Sequence, residues 1–313
     1  MAARATRSAS RKSRLTEAVA TGPLGALSHD ELGVIFDGLA EPLQPVVAVA
    51  LSSTCLGLRT PLQAALEVLK ERHARAKAFC RKAGWNCAIL RDAVVLDWAA
   101  MDLTAEDMAT FGMILRTSGL PQLRQLNLSD NPFGDMGVAA LCAGLGRGAA
   151  PSLWSLDICC QFGPAGAEAL AAAFRRGAMP KLVTLGLNFN PLGDQGVAAL
   201  AVALRQLPVL QALNLACCDV GDEGVASLVD NLGKDDFKKL DILALADNEI
   251  TDAGAATLLA AINAGGLPKL TQHPFQLDGN PASESAVAAV GDALAHRVQD
   301  LRPHPHWAAR AGQ

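Results

Sequence analysis

Between about residue 93 and residue 298 the apolar and polar positions fall into one pattern, repeated seven times. One unit reads Leu123-x-x-Leu126-x-Leu128-x-x-Asn131, then Gly134-Asp135-x-Gly137, then Val138, Leu141 and Leu145. A proline follows, and Pro151 stands two residues ahead of Leu153, the first leucine of the next unit. The third strand position recurs at Trp98, Leu128, Ile158, Leu187, Leu215, Leu245 and Leu277, with spacings of 30, 30, 29, 28, 30 and 32 residues. Self-similarity at such a period is the signature of a solenoid.

Each piece of the unit has a physical reading. Alternation in Leu126-Asn127-Leu128 predicts a short strand with one face in the core and one outward. Leu185-Gly186-Leu187, Leu213-Asn214-Leu215 and Leu243-Ala244-Leu245 repeat it. Such strands cannot form a core alone, so they must pair in a parallel sheet. Three residues past the third position stand Asn131, Asn190, Asn248 and Asn280, with Cys218 once in their place. A chain turning out of a buried strand leaves backbone groups without partners, and an amide side chain can donate and accept to satisfy them. Gly-Asp-x-Gly follows at 134–137, 193–196 and 221–224, where Asp is expected to cap the helix after the turn.

The helices carry one apolar stripe at offsets of 0, 3 and 7, as in Val197/Leu200/Leu204 and Val225/Leu228/Leu232. Pro121, Pro151, Pro180, Pro208 and Pro268 end them and return the chain to strand geometry. Strands pair about 4.8 Å apart, whereas packed helices need about 8–10 Å. The stack therefore curves, with a parallel sheet inside and helices outside. Seven strands span roughly 30 Å of concave face.

This pattern resembles leucine-rich repeats of the ribonuclease-inhibitor type, over about two thirds of the chain. The expected fold class is α/β, a leucine-rich-repeat solenoid of about seven repeats preceded by a small all-α module. The third unit departs, with Cys160-Gln161-Phe162 where the Asn belongs, and is one residue short. The last carries Gln272-His273-Pro274 as an apparent insertion. The resemblance implies a protein-binding surface on the concave face. Its outward positions are Asp97, Gln125, Asn127, Ser155, Asp157, Thr184, Asn188, Asn214 and Gln276, with Trp154 and Phe189 as aromatic anchors. Repeats of this type also occur in activators of Ran-type GTPases, a remote alternative.

Ahead of the repeats, residues 27–83 read as three helices. Ser28-His29-Asp30-Glu31 is a capping box, and Leu32, Ile35, Phe36 and Leu39 form one apolar face. A second helix runs from Val46 to Leu58, and Thr60-Pro61 starts a third with Leu62, Leu66, Leu69, Ala76 and Phe79 inward. This stretch resembles an F-box through Leu27-Ser28-x-x-Glu31-Leu32-x-x-Ile35-Phe36-x-x-Leu39 and Leu51-x-x-x-Cys55. The usual Pro is Ser28 here, and the usual Trp after the Cys is missing. The F-box resemblance implies docking to the Skp-type adaptor of a cullin–RING ubiquitin ligase through Leu27, Glu31, Leu32, Ile35, Phe36 and Leu39. The alternative is a helical cap that only shields the first strand.

The expected organisation is a basic arm over 1–22, the F-box-like module over 23–89, the repeat domain over 90–300 and a tail over 301–313. The arm holds Arg4, Arg7, Arg11, Lys12 and Arg14 among Ser and Ala. It reads as disordered, with organelle import or a nuclear signal as alternatives. Residues 1–89 carry 12 Lys/Arg against 7 Asp/Glu, and residues 90–313 carry 15 against 24. A mildly acidic repeat region argues against nucleic acid and fits a basic or neutral protein ligand. No apolar run reaches the roughly 20 residues of a membrane span, and no secretory segment is evident. Cysteine pairs 159–160 and 217–218 lie two repeats apart, about 10 Å, too far for a disulfide. Free thiols in a cytoplasmic or nuclear setting follow. No catalytic, cofactor or metal motif is present: His296, His304 and His306 lack neighbouring ligands, and the recurrent Asp residues are turn caps.

Overall fold

The computed structural model describes residues 40–54, 62–233, 235–270 and 277–300, together with Leu32, Ile35 and Phe36. Contacts divide the chain into two units: the first runs through Arg91 and takes in Arg116–Gly119, and the second comprises the rest from Asp92 onward.

The first unit is helical. It contains α1 (Val46–Thr54), α2 (Gln63–Lys82) and α3 (Cys87–Leu90). Leu69, Ala76, Phe79 and Cys80 form the buried face of α2. Leu62 and Leu69 meet Leu32, Phe36, Ala40 and Ala48 in one core. The cations of α2 occupy the other side, where Lys70 pairs with Glu67 at 2.9 Å. An exposed pair of this kind adds under about 1 kcal/mol. The second expected helix is seen through Thr54; its continuation toward Leu58 lies outside the described residues.

The second unit alternates strand and helix. The strands are β1 (Val95–Asp97), β2 (Gln125–Asn127), β3 (Ser155–Asp157), β4 (Thr184–Gly186), β5 (Ala212–Asn214) and β6 (Ile242–Ala244). Between and after them run α4 (Ala105–Thr117), α5 (Gly134–Gly144), α6 (Pro164–Arg175), α7 (Gly193–Arg205), α8 (Asp222–Val229), α9 (Asp252–Asn263) and α10 (Glu284–Asp300). The six strands form one parallel sheet in chain order. Leu96, Leu126, Leu156, Leu185, Leu213 and Leu243 align in register and are buried. That single file of leucines, backed by Leu128, Ile158, Leu187, Leu215 and Leu245, is the inner layer of the core. The seventh strand position falls beside residues 271–276, outside the described residues; Leu277 is buried, and Asp247 N still donates to Asp278 O at 2.8 Å.

Where an asparagine is present, it ties its repeat to the one before it. Asn131 Oδ1 accepts from Met101 N and Leu103 N at 3.0 and 2.9 Å, and its Nδ2 donates to Trp98 O and Leu128 O. Asn190 does the same for Cys160 N, Phe162 N, Ile158 O and Leu187 O. Asn248 repeats it on Cys218 N, Val220 N, Leu215 O and Leu245 O. The irregular third unit has Cys160 in place of the Asn, and its Cys160 and Phe162 amides are satisfied by Asn190 of the next unit.

The aspartates cap, though not where the sequence suggested. Asp135 Oδ1 accepts from Gly163 N and Gly166 N, at the start of the following repeat's helix α6. Asp194 accepts from Gly221 N and Gly224 N ahead of and within α8, and Asp222 from Thr251 N and Gly254 N at α9. Each carboxylate thus serves its neighbour. The reason is position: Asp135 and Asp194 lie inside the first turn of their own helices, past the N-cap, and point toward the next layer. This accounts for the last Gly of the motif, since a Cβ on Gly224 would sit 2.6 Å from Asp194 Oδ1. Arginines bind the other helix ends. Arg176 donates to Cys142 O at the end of α5, and Arg205 to Leu228 O at the end of α8.

Two helices are shorter than their stripes predict: α5 stops at Gly144, just before Leu145, and α8 falls shorter still. α8 stops at Val229, so Leu232 lies beyond it. Asp230 turns to extended geometry and Asn231 takes φ +52°, which ends the helical hydrogen bonding.

Candidate interaction face

The strands place two columns of side chains on the outward face of the sheet. Asp97, Asn127, Asp157 and Asn214 lie in one, in register across Gly186. They bond to one another and to the turns. Asn127 Nδ2 donates to Asp97 Oδ1 at 3.0 Å, and Asn127 Oδ1 accepts from Ser129 N at 3.1 Å. Asn214 Nδ2 donates to Asn188 Oδ1 at 3.3 Å. Ser155 Oγ donates to Asp157 Oδ2 at 3.3 Å. These bonds hold the polar groups in fixed directions, which lowers the entropy lost when a partner binds.

Asp157 is the least ordinary of them. Burial raises its carboxyl above the usual range, with the Ser155 hydroxyl working against that. Its carboxylate leans over Gly186, where a Cβ would come within 2.2 Å of Oδ1. Glycine in β4 therefore makes room for the acid of β3.

The aromatics sit at opposite edges of the sheet. Trp154 immediately precedes β3 and is 38% exposed; Phe189 follows β4 and is 59% exposed. Phe189 also takes φ +58°, a conformation that bulky side chains rarely adopt. The partly exposed Cys159 donates its thiol to Phe189 O at 3.9 Å. Thr184 and Gln125 are half-buried in the second column, and Ser155 is buried there. Gln276 lies outside the described residues.

Charge is divided between the two edges. The strands and the turns leaving them hold Asp97, Asp102, Asp130, Asp157, Asp219, Asp247, Glu249 and Asp278, with no Lys or Arg in those segments. Arg124, Arg147, Arg176, Lys181, Lys238 and Lys269 occupy helix ends and the connections into the strands. Sequence reading caught the net acidity but not this sorting; setting the charges out by position within the unit would have exposed it.

In the helical unit, Leu32 and Phe36 are buried in that unit's own core. Their side chains pack on Leu62, Leu69, Ala40 and Ala48 within this unit. Ile35 keeps an exposed side. Leu27, Glu31 and Leu39 lie outside the described residues. Sequence reading also missed Val46, Val47 and Val49, which α1 leaves exposed, Val46 by 73%.

Burial pushes the thiols of Cys142 and Cys218 up to about 12 and raises that of Cys160 as well. Thiols held protonated in this way are poor nucleophiles. Among the described residues no group of three or more His, Cys, Asp and Glu is placed to hold a metal ion, and no helix is long and apolar enough to cross a membrane.

The leucine-rich repeat family model matches residues 120–142, 178–201, 206–229 and 238–259. The stretch it passes over between 142 and 178 contains the unit with Cys160 in the Asn position. Among solved structures, an internalin (inlF) from Listeria monocytogenes is 17% identical, covering 68% of this chain and 54% of that one, with a TM-score of 0.36. The chain thus spans about half the length of that internalin. No curated protein matches the sequence. The second unit has the fold of an α/β leucine-rich-repeat solenoid, and residues 120–259 carry the repeats that the family model matches.

Proposed function

We propose that the solenoid holds a client protein on its concave sheet face and the adjoining acidic edge, and that the client presents a basic segment there. The observation that carries this reading is the sorting of charge: eight acids and no cation on the strands and their exit turns, beside the exposed Phe189. Complementary charge speeds encounter and excludes acidic competitors, while an aromatic anchor supplies affinity. The test compares wild type with Asp157→Lys and Phe189→Ser as baits in extracts of the native cell. A client retained by wild type, eluted by salt and lost to both variants is expected. Identical retention by all three baits refutes the reading.

A second role, docking of a Skp-type adaptor by the helical unit, is favoured by the exposed Ile35, Val46, Val47 and Val49. Exposed apolar side chains grouped on one small unit are the kind of surface that partners cover. Because Phe36 is core, Ile35→Asp and Val46→Asp are the informative variants. Co-purification with the adaptor that these changes abolish is expected; no complex with wild type sinks the ligase role.

A further inference from the structure

We propose that Cys80 and Cys87 form a redox modification site, a buried dithiol that hydrogen peroxide converts to a disulfide and a thiol reductant restores. Cys80 lies in the last turn of α2 and Cys87 opens α3. The turn between them folds back tightly: Gly84 takes φ +71°, and Trp85 N donates to Cys80 O at 2.7 Å. The two sulfurs stand 3.3 Å apart, with the Cys87 thiol directed at Cys80 Sγ. A disulfide bond is about 2.05 Å long, so the sulfurs need only a small further approach.

Shielding selects the oxidant. Cys80 is 1% exposed and Cys87 8%, which bars a bulky disulfide and leaves access to a molecule as small as peroxide. Burial, with Cys87 next in effect, holds the Cys80 thiol up at about 12, so Cys80 is the poorer first nucleophile. Cys87, the more exposed of the two, reacts first. Its sulfur attacks one peroxide oxygen; the S–O bond forms, the O–O bond breaks, and the leaving hydroxide takes up the thiol proton as water. Cys80 sulfur then attacks the Cys87 sulfenic acid; the S–S bond forms, the S–O bond breaks, and the Cys80 proton leaves with the hydroxyl as a second water. Two thiols are oxidised and one peroxide is reduced to two waters. The same contact that makes Cys80 the resolving thiol protects Cys87 from further oxidation.

The test treats the full chain with graded hydrogen peroxide, blocks remaining thiols under denaturing conditions and digests with trypsin. Cleavage after Lys77, Arg81, Lys82 and Arg91 releases Ala78–Arg81 and Ala83–Arg91. These two peptides joined through sulfur, and separated by dithiothreitol, are the expected product. The partly exposed Cys159 and Cys217 report the effective dose. Cys80→Ser is expected to leave Cys87 as sulfenic or sulfinic acid in place of the crosslink. Recovery of both wild-type peptides singly blocked, at a dose that oxidises Cys159 and Cys217, overturns the proposal. So does a crosslink from either cysteine to a different partner.

Discussion

Asn190→Ala probes how far the stack depends on one side chain. Asn190 is fully buried. Its Oδ1 accepts from Cys160 N and Phe162 N at 3.1 and 3.2 Å, and its Nδ2 donates to Ile158 O and Leu187 O at 2.7 and 2.8 Å. Alanine removes these four contacts and a fifth, from Nδ2 to Asn188 O at 3.3 Å. Leu187 O retains the Cys218 thiol at 3.1 Å, so the carbonyl side is partly relieved. The two amides are the main loss. A buried donor without its partner costs about 1–3 kcal/mol, so the pair costs roughly 2–6 kcal/mol. Against a total stability of about 5–15 kcal/mol that is a large fraction. Repeats touch only their neighbours, so the damage should concentrate where the third and fourth units meet. Urea denaturation followed by circular dichroism gives the total, and hydrogen exchange with mass spectrometry gives the place. Exchange should accelerate over 158–163, while the turn at 101–103, held by Asn131, keeps its protection. A loss well under about 1 kcal/mol, or equal acceleration in both turns, would contradict the account.

Two further outcomes follow from the caps. Asp194→Ala should cost about 1 kcal/mol and raise exchange at 221–225, in the next repeat, more than in its own helix α7; the reverse order would restore the conventional cap. Burial works to raise the Asp222 carboxyl, but hydrogen bonds from Thr251 and Gly254 outweigh it and hold the group below its usual value. Its contribution is therefore present above the unfolded-state pKa and lost as pH falls through the lowered folded value. The melting temperature of wild type over Asp222→Asn should thus exceed the variant's at neutral pH and converge with it on acidification, by a modest amount because the site is exposed. A gap that stays constant with pH refutes this.

The repeat itself was legible in the chain. Leucines at Leu123, Leu126 and Leu128 alternate and recur, and only parallel stacking buries such short strands. The role of Asn131, Asn190 and Asn248 was legible too, because a sharp turn off a buried strand needs a group that donates and accepts. Local pattern therefore determined the strands, most of the helices and the face that points outward.

Other features depend on what lies one repeat away or across a turn, which periodicity does not encode. Asp135 looks like a cap for its own helix, yet its oxygen reaches Gly163 and Gly166. Leu32 and Phe36 fit a docking motif, but the same apolar character serves a core equally well, and the sequence did not show that they are buried in the helical unit. Cys80 and Cys87 show no framework spacing, and a four-residue turn sets their sulfurs in contact. Sequence fixes which side chains must be hidden from water; the tertiary fold decides which neighbour hides them, because that depends on distances between layers.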